Sequence, residues 1–169
     1  MVSGTTDTTE DETMTGSIEA RLGELGIELP QAAAPAAAYV PVMRSGNTLY
    51  ISGQIPVWNG EIRYKGIVGR DLSAQDAQAA ARLCGLNILA QIKGACGGLD
   101  SVRRILKLGG FVACGADFTD QPKVVNGASE LMTEVFGDAG RHARFAVGAA
   151  SLPLGVAVEV EAIVELGEG

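Results

Sequence analysis

Val156-Ala157-Val158-Glu159-Val160-Glu161-Ala162-Ile163-Val164 is the stretch on which the fold turns. Read as a strand, it puts Val156, Val158, Val160, Ala162 and Val164 on one face. Glu159, Glu161 and the nearby Glu165 fall on the other. Such a strand is apolar on one side only, so it calls for a layer packed against that side. Working back along the chain, Ser151-Leu152-Pro153-Leu154-Gly155 is a turn, and Arg144–Ala150 reads as a preceding strand. Pro122–Phe136 has a helical stripe of Val124, Ala128, Leu131, Met132 and Val135. Asp120 or Gln121 caps it, Pro122 fits its first turn and Gly137 ends it. Ile105–Cys114 is apolar and strand-like.

A longer helix is predicted from about Ser73 to about Ala95. Ser73-Ala74-Gln75-Asp76 resembles a capping box with an acidic third position. Ala77, Ala81, Cys84, Ile88 and Ile92 recur at helical spacing, and Gly97-Gly98 stops the helix. Farther back, Tyr39–Ser52 reads as a hairpin turning at Ser45-Gly46-Asn47, where Gly and Asn tolerate positive φ. Trp58-Asn59-Gly60-Glu61 is a second turn leading into Ile62–Tyr64. The expected architecture is α+β: a mainly antiparallel sheet with two helices on one face. The second face then needs a partner, most simply identical subunits.

Residues 1–16 are Thr-rich and acidic, carrying −4 of the total −7, which leaves −3 for the rest. They are expected to be a disordered tail. Residues 17–36 are expected to form a short helix, with Ile18, Leu22 and Leu25 on one face, and a spacer. Residues 37–169 form the main domain. The 169 residues suit a single core. The acidic balance lacks the basic footprint of nucleic-acid binding. No apolar run reaches the ~18–20 residues a bilayer requires, and no secretory signal is visible, so a cytoplasmic protein is expected. A single histidine, His142, excludes mechanisms needing two and disfavours a His-based metal cage. Cys84, Cys96 and Cys114 have no metal-ligand spacing and read as small buried hydrophobes.

Several residues have two readings. Arg144 opens a neutral strand. By position alone a surface arginine is the plainer reading, yet a guanidinium facing a cleft suits a carboxylate ligand. Glu159 is either part of a solvated strand face or a carboxyl beside an apolar wall that positions water as a general base. Ser52-Gly53-Gln54 is a plain turn or a place where a ligand approaches the backbone. Tyr39 is an edge aromatic or a pocket wall. Asn126 is by default a solvent-facing helical amide, and His142 an exposed loop residue.

Taken in order, Tyr39, Ser52-Gly53-Gln54-Ile55-Pro56, Asn126, Arg144, Leu152-Pro153 and Val158-Glu159-Val160-Glu161-Ala162-Ile163 resemble the Rid/YjgF family of reactive-intermediate deaminases. The similarity spans about residues 37–166. It implies a chorismate-mutase-like homotrimer with pockets between subunits and no cofactor. It also implies hydrolysis of 2-imino or enamine acids to 2-keto acids and ammonia, a detoxifying reaction. By the resemblance, Arg144 holds the substrate carboxylate, Glu159 directs water, and Tyr39, Ser52, Gly53 and Asn126 line the site. A protonated imine is already electrophilic, so orientation and one water suffice. Phe145-Ala146 after Arg144, the connection Asp138–His142 and the segment 17–36 depart from the family pattern and mark a divergent branch. The segment 17–36 is placed to cover a pocket mouth.

The alternative is a non-catalytic binder of a small carboxylate metabolite with the same fold. An RNA-cleaving activity, attached to some relatives, ranks below both on charge and histidine count. The leading reading requires Arg144 and Glu159 to serve one cavity. Their placement on opposite sides of the sheet would overturn it.

Overall fold

The computed structural model describes residues 17–35 and 37–168; the expected acidic tail, 1–16, lies outside them. The elements are α1 (Ile18–Glu24), β1 (Val42–Ser45), β2 (Thr48–Gln54), β3 (Val57–Trp58), β4 (Glu61–Ile62), α2 (Ala74–Cys96), β5 (Val102–Ala113), α3 (Gln121–Phe136), β6 (Ala143–Ala149) and β7 (Val158–Leu166). Five strands form one sheet in the order β1-β2-β7-β5-β6, while β3 and β4 make a separate hairpin. All pairings in the large sheet are antiparallel except β5 with β6. That pair is parallel because α3 carries the chain back to the starting end between them. The sheet is thus mixed.

Local chemistry sets the element ends as expected. Ser73 Oγ accepts from the Asp76 N–H at 3.0 Å, and Gly97 closes α2 in the left-handed conformation (φ 75°). Asn59 (φ 48°) and Gly60 (φ 87°) turn the β3–β4 hairpin. The strand expected to reach Tyr64 stops at Ile62, and Tyr64 itself adopts φ 56°, which breaks an extended run.

The alternation in β7 sorts its side chains as its sequence demands. Val158, Val160, Ala162, Val164 and Leu166 are buried against α2 and α3, together with Leu49, Ile51, Ile105, Leu108 and Val112 of the neighbouring strands. The two long helices approach closely because Gly85 faces Ala128 and Leu131, and Gly127 faces the Gln78 carbonyl. A third helix joins the expected two. α1 lays Leu22 into the core, the Ile18 N–H donates to Asp100 Oδ1 at 2.6 Å, and Arg21 Nε donates to the Glu134 carbonyl at 3.1 Å. Its Ser17 cap and buried Leu22 make this short helix a packed part of the helical layer. Cys84 and Cys114 are buried and Cys96 is partly so.

The opposite face of the sheet carries no helix. Tyr50 opposes both Met43 and Ile163, and the edge of the Phe111 ring meets Phe145 with centroids 5.3 Å apart. Met43, Tyr50, Phe111 and Val147 are exposed here, interleaved with Glu159, Glu161 and Glu165.

Candidate functional site

The structure divides the expected site residues into two groups. The first forms a cavity of about 440 Å³. Tyr39, Gly53 and Glu159 line it, with Ile55, Val57, Pro153 and Leu154 as apolar walls. Glu159 reaches it from the helix-free face of β7. Its carboxylate lies over Gly53, where a Cβ would displace it, so glycine leaves the carboxylate its place at that point. The bulge between Ile51 and Gln54 in the β2–β7 pairing creates this close approach. Burial pushes the Glu159 carboxyl above its usual range, and the nearby Glu161 charge adds to the effect. Ser52 does not line the cavity. Its hydroxyl donates to the Val40 carbonyl at 2.8 Å, which holds the chain beside Tyr39.

The remaining wall comes from the segment before β1: Ala33, Ala34 and Ala37. Gln91 of α2 donates from Nε2 to the Ala33 carbonyl at 2.7 Å, and the Gln31 N–H donates to Asn59 Oδ1 at 2.9 Å. Gln54 and Gln91 are themselves buried and lie within hydrogen-bonding distance of one another. Gln91, which holds the Ala33 wall, is a site-building residue that pattern reading missed. A buried amide in a helix leaves no periodic trace other than interrupting an apolar stripe.

The second group surrounds Arg144 at the edge strand β6. Arg144 is in register with Leu108, which is in turn opposite Ala162, so its side chain rises from the helical face. Nη1 donates to Asn126 Oδ1 at 2.8 Å and to Ser129 Oγ at 3.1 Å, and Nη2 donates to the Pro122 carbonyl at 3.3 Å. All three acceptors belong to α3. Nε donates to none of the described residues, so an edge of the guanidinium remains for a carboxylate fork. Asn126 is therefore an arginine-holding amide and not the solvent-facing residue its helix position suggested. His142 also has partners, contrary to the exposed-loop expectation. Its Nε2 is 2.9 Å from Ser129 Oγ and its Nδ1 2.6 Å from the Gly140 carbonyl. Ser129, Glu130, Thr133, Arg141, His142 and Arg144 line an open cleft of about 360 Å³.

Arg144 and Glu159 consequently stand on opposite faces of the sheet, with β5 between their strands. Within this chain the two line different cavities, so the condition that overturns the leading reading is met for a single chain, and only a site shared between copies leaves that reading standing. Phe145, which follows Arg144, turns away from the Arg144 side of the sheet. It lies on the helix-free face over Gly109, with Lys107 Nζ 5.2 Å from its ring centroid. Among the described residues no cluster of three potential metal ligands occurs, and no helix is long and apolar enough to cross a membrane.

Comparison with known proteins extends over nearly all of this architecture. Residues 19–166 match the family described as "YjgF/chorismate_mutase-like, putative endoribonuclease". Protein TCP17 of Trypanosoma cruzi is 49% identical over 152 residues, covering 89% of this chain and 95% of that protein. A crystal structure of a protein of unknown function from Agrobacterium tumefaciens is 54% identical with a TM-score of 0.83, covering 89% of this chain and 92% of that one. The crystal structure of E. coli TdcF with bound serine is 31% identical with a TM-score of 0.58, covering 82% of this chain and 94% of that one. With the sheet order, the helical layer and these matches in agreement, the chain belongs to the Rid/YjgF family.

Proposed function

We propose that this protein hydrolyses 2-imino acids, the tautomers of enamine acids, to 2-keto acids and ammonia. The site lies between copies of a homotrimer. In it the Arg144–Asn126 group of one copy meets the Tyr39–Gly53–Glu159 cavity of the next. The observation that carries this reading is the division itself: each group holds one half of the chemistry and lies on a different face. The helix-free face, apolar at Met43, Tyr50 and Phe111, supports self-association. The serine bound to TdcF is a small amino acid bearing a carboxylate, which fits the same ligand class.

In this scheme the free edge of Arg144 grips the substrate carboxylate and presents the C=N carbon to water. Glu159 takes a proton from that water as its oxygen bonds to carbon, giving a carbinolamine. That proton then goes to nitrogen, and the C–N bond breaks with its electron pair leaving on ammonia as the carbinolamine O–H gives its proton to the Glu159 carboxylate and C=O forms, which releases the 2-keto acid. A carboxyl raised towards neutrality suits both transfers. The endoribonuclease in the family description has less support here, since Glu159 and Glu161 put negative charge on the face that carries the cavity.

The test generates an imine with a dehydratase and follows keto acid or ammonia. Arg144→Ala should lose about 1.5–3 kcal/mol of ligand binding. Arg144→Ala and Glu159→Gln should each be inactive alone. Refolding them together should restore about a quarter of the wild-type rate, because random mixing leaves that share of two-chain sites intact. No recovery in mixed assemblies would sink the two-chain site. Thermal stabilisation by 2-keto acids with no imine turnover would favour the non-catalytic carboxylate binder.

A further inference from the structure

We propose that Ser129 and His142 form part of the carboxylate site: Ser129 positions the Arg144 guanidinium, and His142 orients Ser129 and couples anion binding to its own protonation. The inference rests on the role given to Arg144 above. It concerns the end of the connection Asp138–His142, just before Ala143-Arg144, where this chain departs from the family pattern.

Hydrogen-bond directions follow from one fixed acceptor. The Gly140 carbonyl can only accept, so the ring nitrogen 2.6 Å from it, Nδ1, carries a proton. In the neutral ring Nε2 is then an acceptor, and the Ser129 hydroxyl, 2.9 Å away, donates to it. With its proton committed to the imidazole, Ser129 Oγ turns lone pairs to Arg144 Nη1 at 3.1 Å. The order is guanidinium to hydroxyl to imidazole to backbone carbonyl. Asn126 Oδ1 fixes the same Nη1 from the next turn of α3. Removing Ser129 leaves Nη1 only Asn126 Oδ1, with Nη2 on the Pro122 carbonyl, so the guanidinium is held less firmly.

Protonating His142 places a second positive charge one hydroxyl away from Arg144. A carboxylate on the free edge of the guanidinium then experiences both cations, so by linkage its arrival favours the imidazolium. Other charged groups face this position as well. Glu130 of α3 and Arg141 of the connection line the same cleft, and Asp138 lies in the turn before it. Lys107 on β5 is in register with Ala143, but its ammonium is over the Phe145 ring on the other face. Glu130 lowers and Arg141 raises the local potential at this position.

The chain has a single histidine, so its ring signals in an NMR titration belong to one residue. The probe is 2-oxobutyrate, with Kd measured by calorimetry between pH 8 and pH 5.5. The expected result is a Kd about three- to tenfold lower at the acid end. The midpoint should match the His142 ring titration and move upward when 2-oxobutyrate is bound. His142→Gln should abolish that part of the slope, and any slope left belongs to Glu159. Ser129→Ala should weaken binding at every pH, with Ser129→Thr restoring it. A His142 titration that 2-oxobutyrate does not move, or an equal slope in His142→Gln, overturns the proposal. The first readout uses the unaltered protein and needs no variant to fold. Full affinity in Arg144→Ala would instead remove the reading of Arg144 on which this depends.

Discussion

The Glu159 carboxyl is raised first by burial and then by Glu161 on the same strand face. Its protonated form is therefore favoured in the fold relative to the unfolded chain. Between the unfolded pKa and this raised value the folded state binds more protons, so stability falls as pH rises through the window. Below the unfolded pKa the contribution is fully present. Glu159→Gln should accordingly melt above the wild type at pH 7, with the difference disappearing near pH 4, in thermal melts taken across that range. The same change should lower kcat by about 10²–10⁴-fold. Wild-type activity should decline on acidification through the raised pKa, as the base becomes protonated. A Gln variant that melts lower at neutral pH would mean that the carboxylate is a stabilising partner rather than a burdened one. Much at this scale was legible: the alternation in β7 placed Glu159 opposite Val158 correctly. The partners of Arg144 were not legible, since strand position does not reveal register with β5. The Ser129–His142 pairing joins a helix to a turn thirteen residues on, with no shared period to betray it.

At the scale of elements, caps and stops were read from short-range chemistry and the structure agrees. Ser73 and Gly97 bound α2 because a hydroxyl and a left-handed glycine meet needs that arise within one helical turn. Ser73→Ala should destabilise the protein by about 1 kcal/mol in denaturant titration. Gly127 is a different kind of constraint. A methyl there would collide with the Gln78 carbonyl backbone, and neither helix can retreat without opening the core. Gly127→Ala should therefore cost about 1–3 kcal/mol or more, well above the cap substitution, by the same measurement. A smaller loss than for Ser73→Ala would mean that the helices slide apart freely. That α1 docks on α3 was hidden from pattern reading because its anchor, Arg21 to the Glu134 carbonyl, joins residues 113 apart.

For the whole molecule, the helix-free face is the feature that asks for a second copy. Tyr50 is 48% exposed, and Met43 beside it on the edge strand β1 is 58% exposed. Tyr50→Glu should convert the proposed trimer to single chains in analytical ultracentrifugation and remove the proposed deaminase activity, while circular dichroism stays unchanged. An intact trimer in that variant would show that subunits meet elsewhere. The sequence exposed the need for a partner through one-sided strands, but the geometry of that partner depends on contacts between chains, which no single-chain pattern encodes.

The alanine wall held by Gln91 has a consequence for how such a protein diversifies. Three methyl groups outside the sheet set the room beside Tyr39, while Glu159 and Arg144, the residues proposed to handle the proton and grip the anion, stand on the sheet itself. Selectivity and reactivity are thus mounted on separate pieces of chain. Enlarging Ala33 or Ala34 would shorten the side chain that fits and leave the reacting groups where they are, so substrate range can drift while the chemistry is kept.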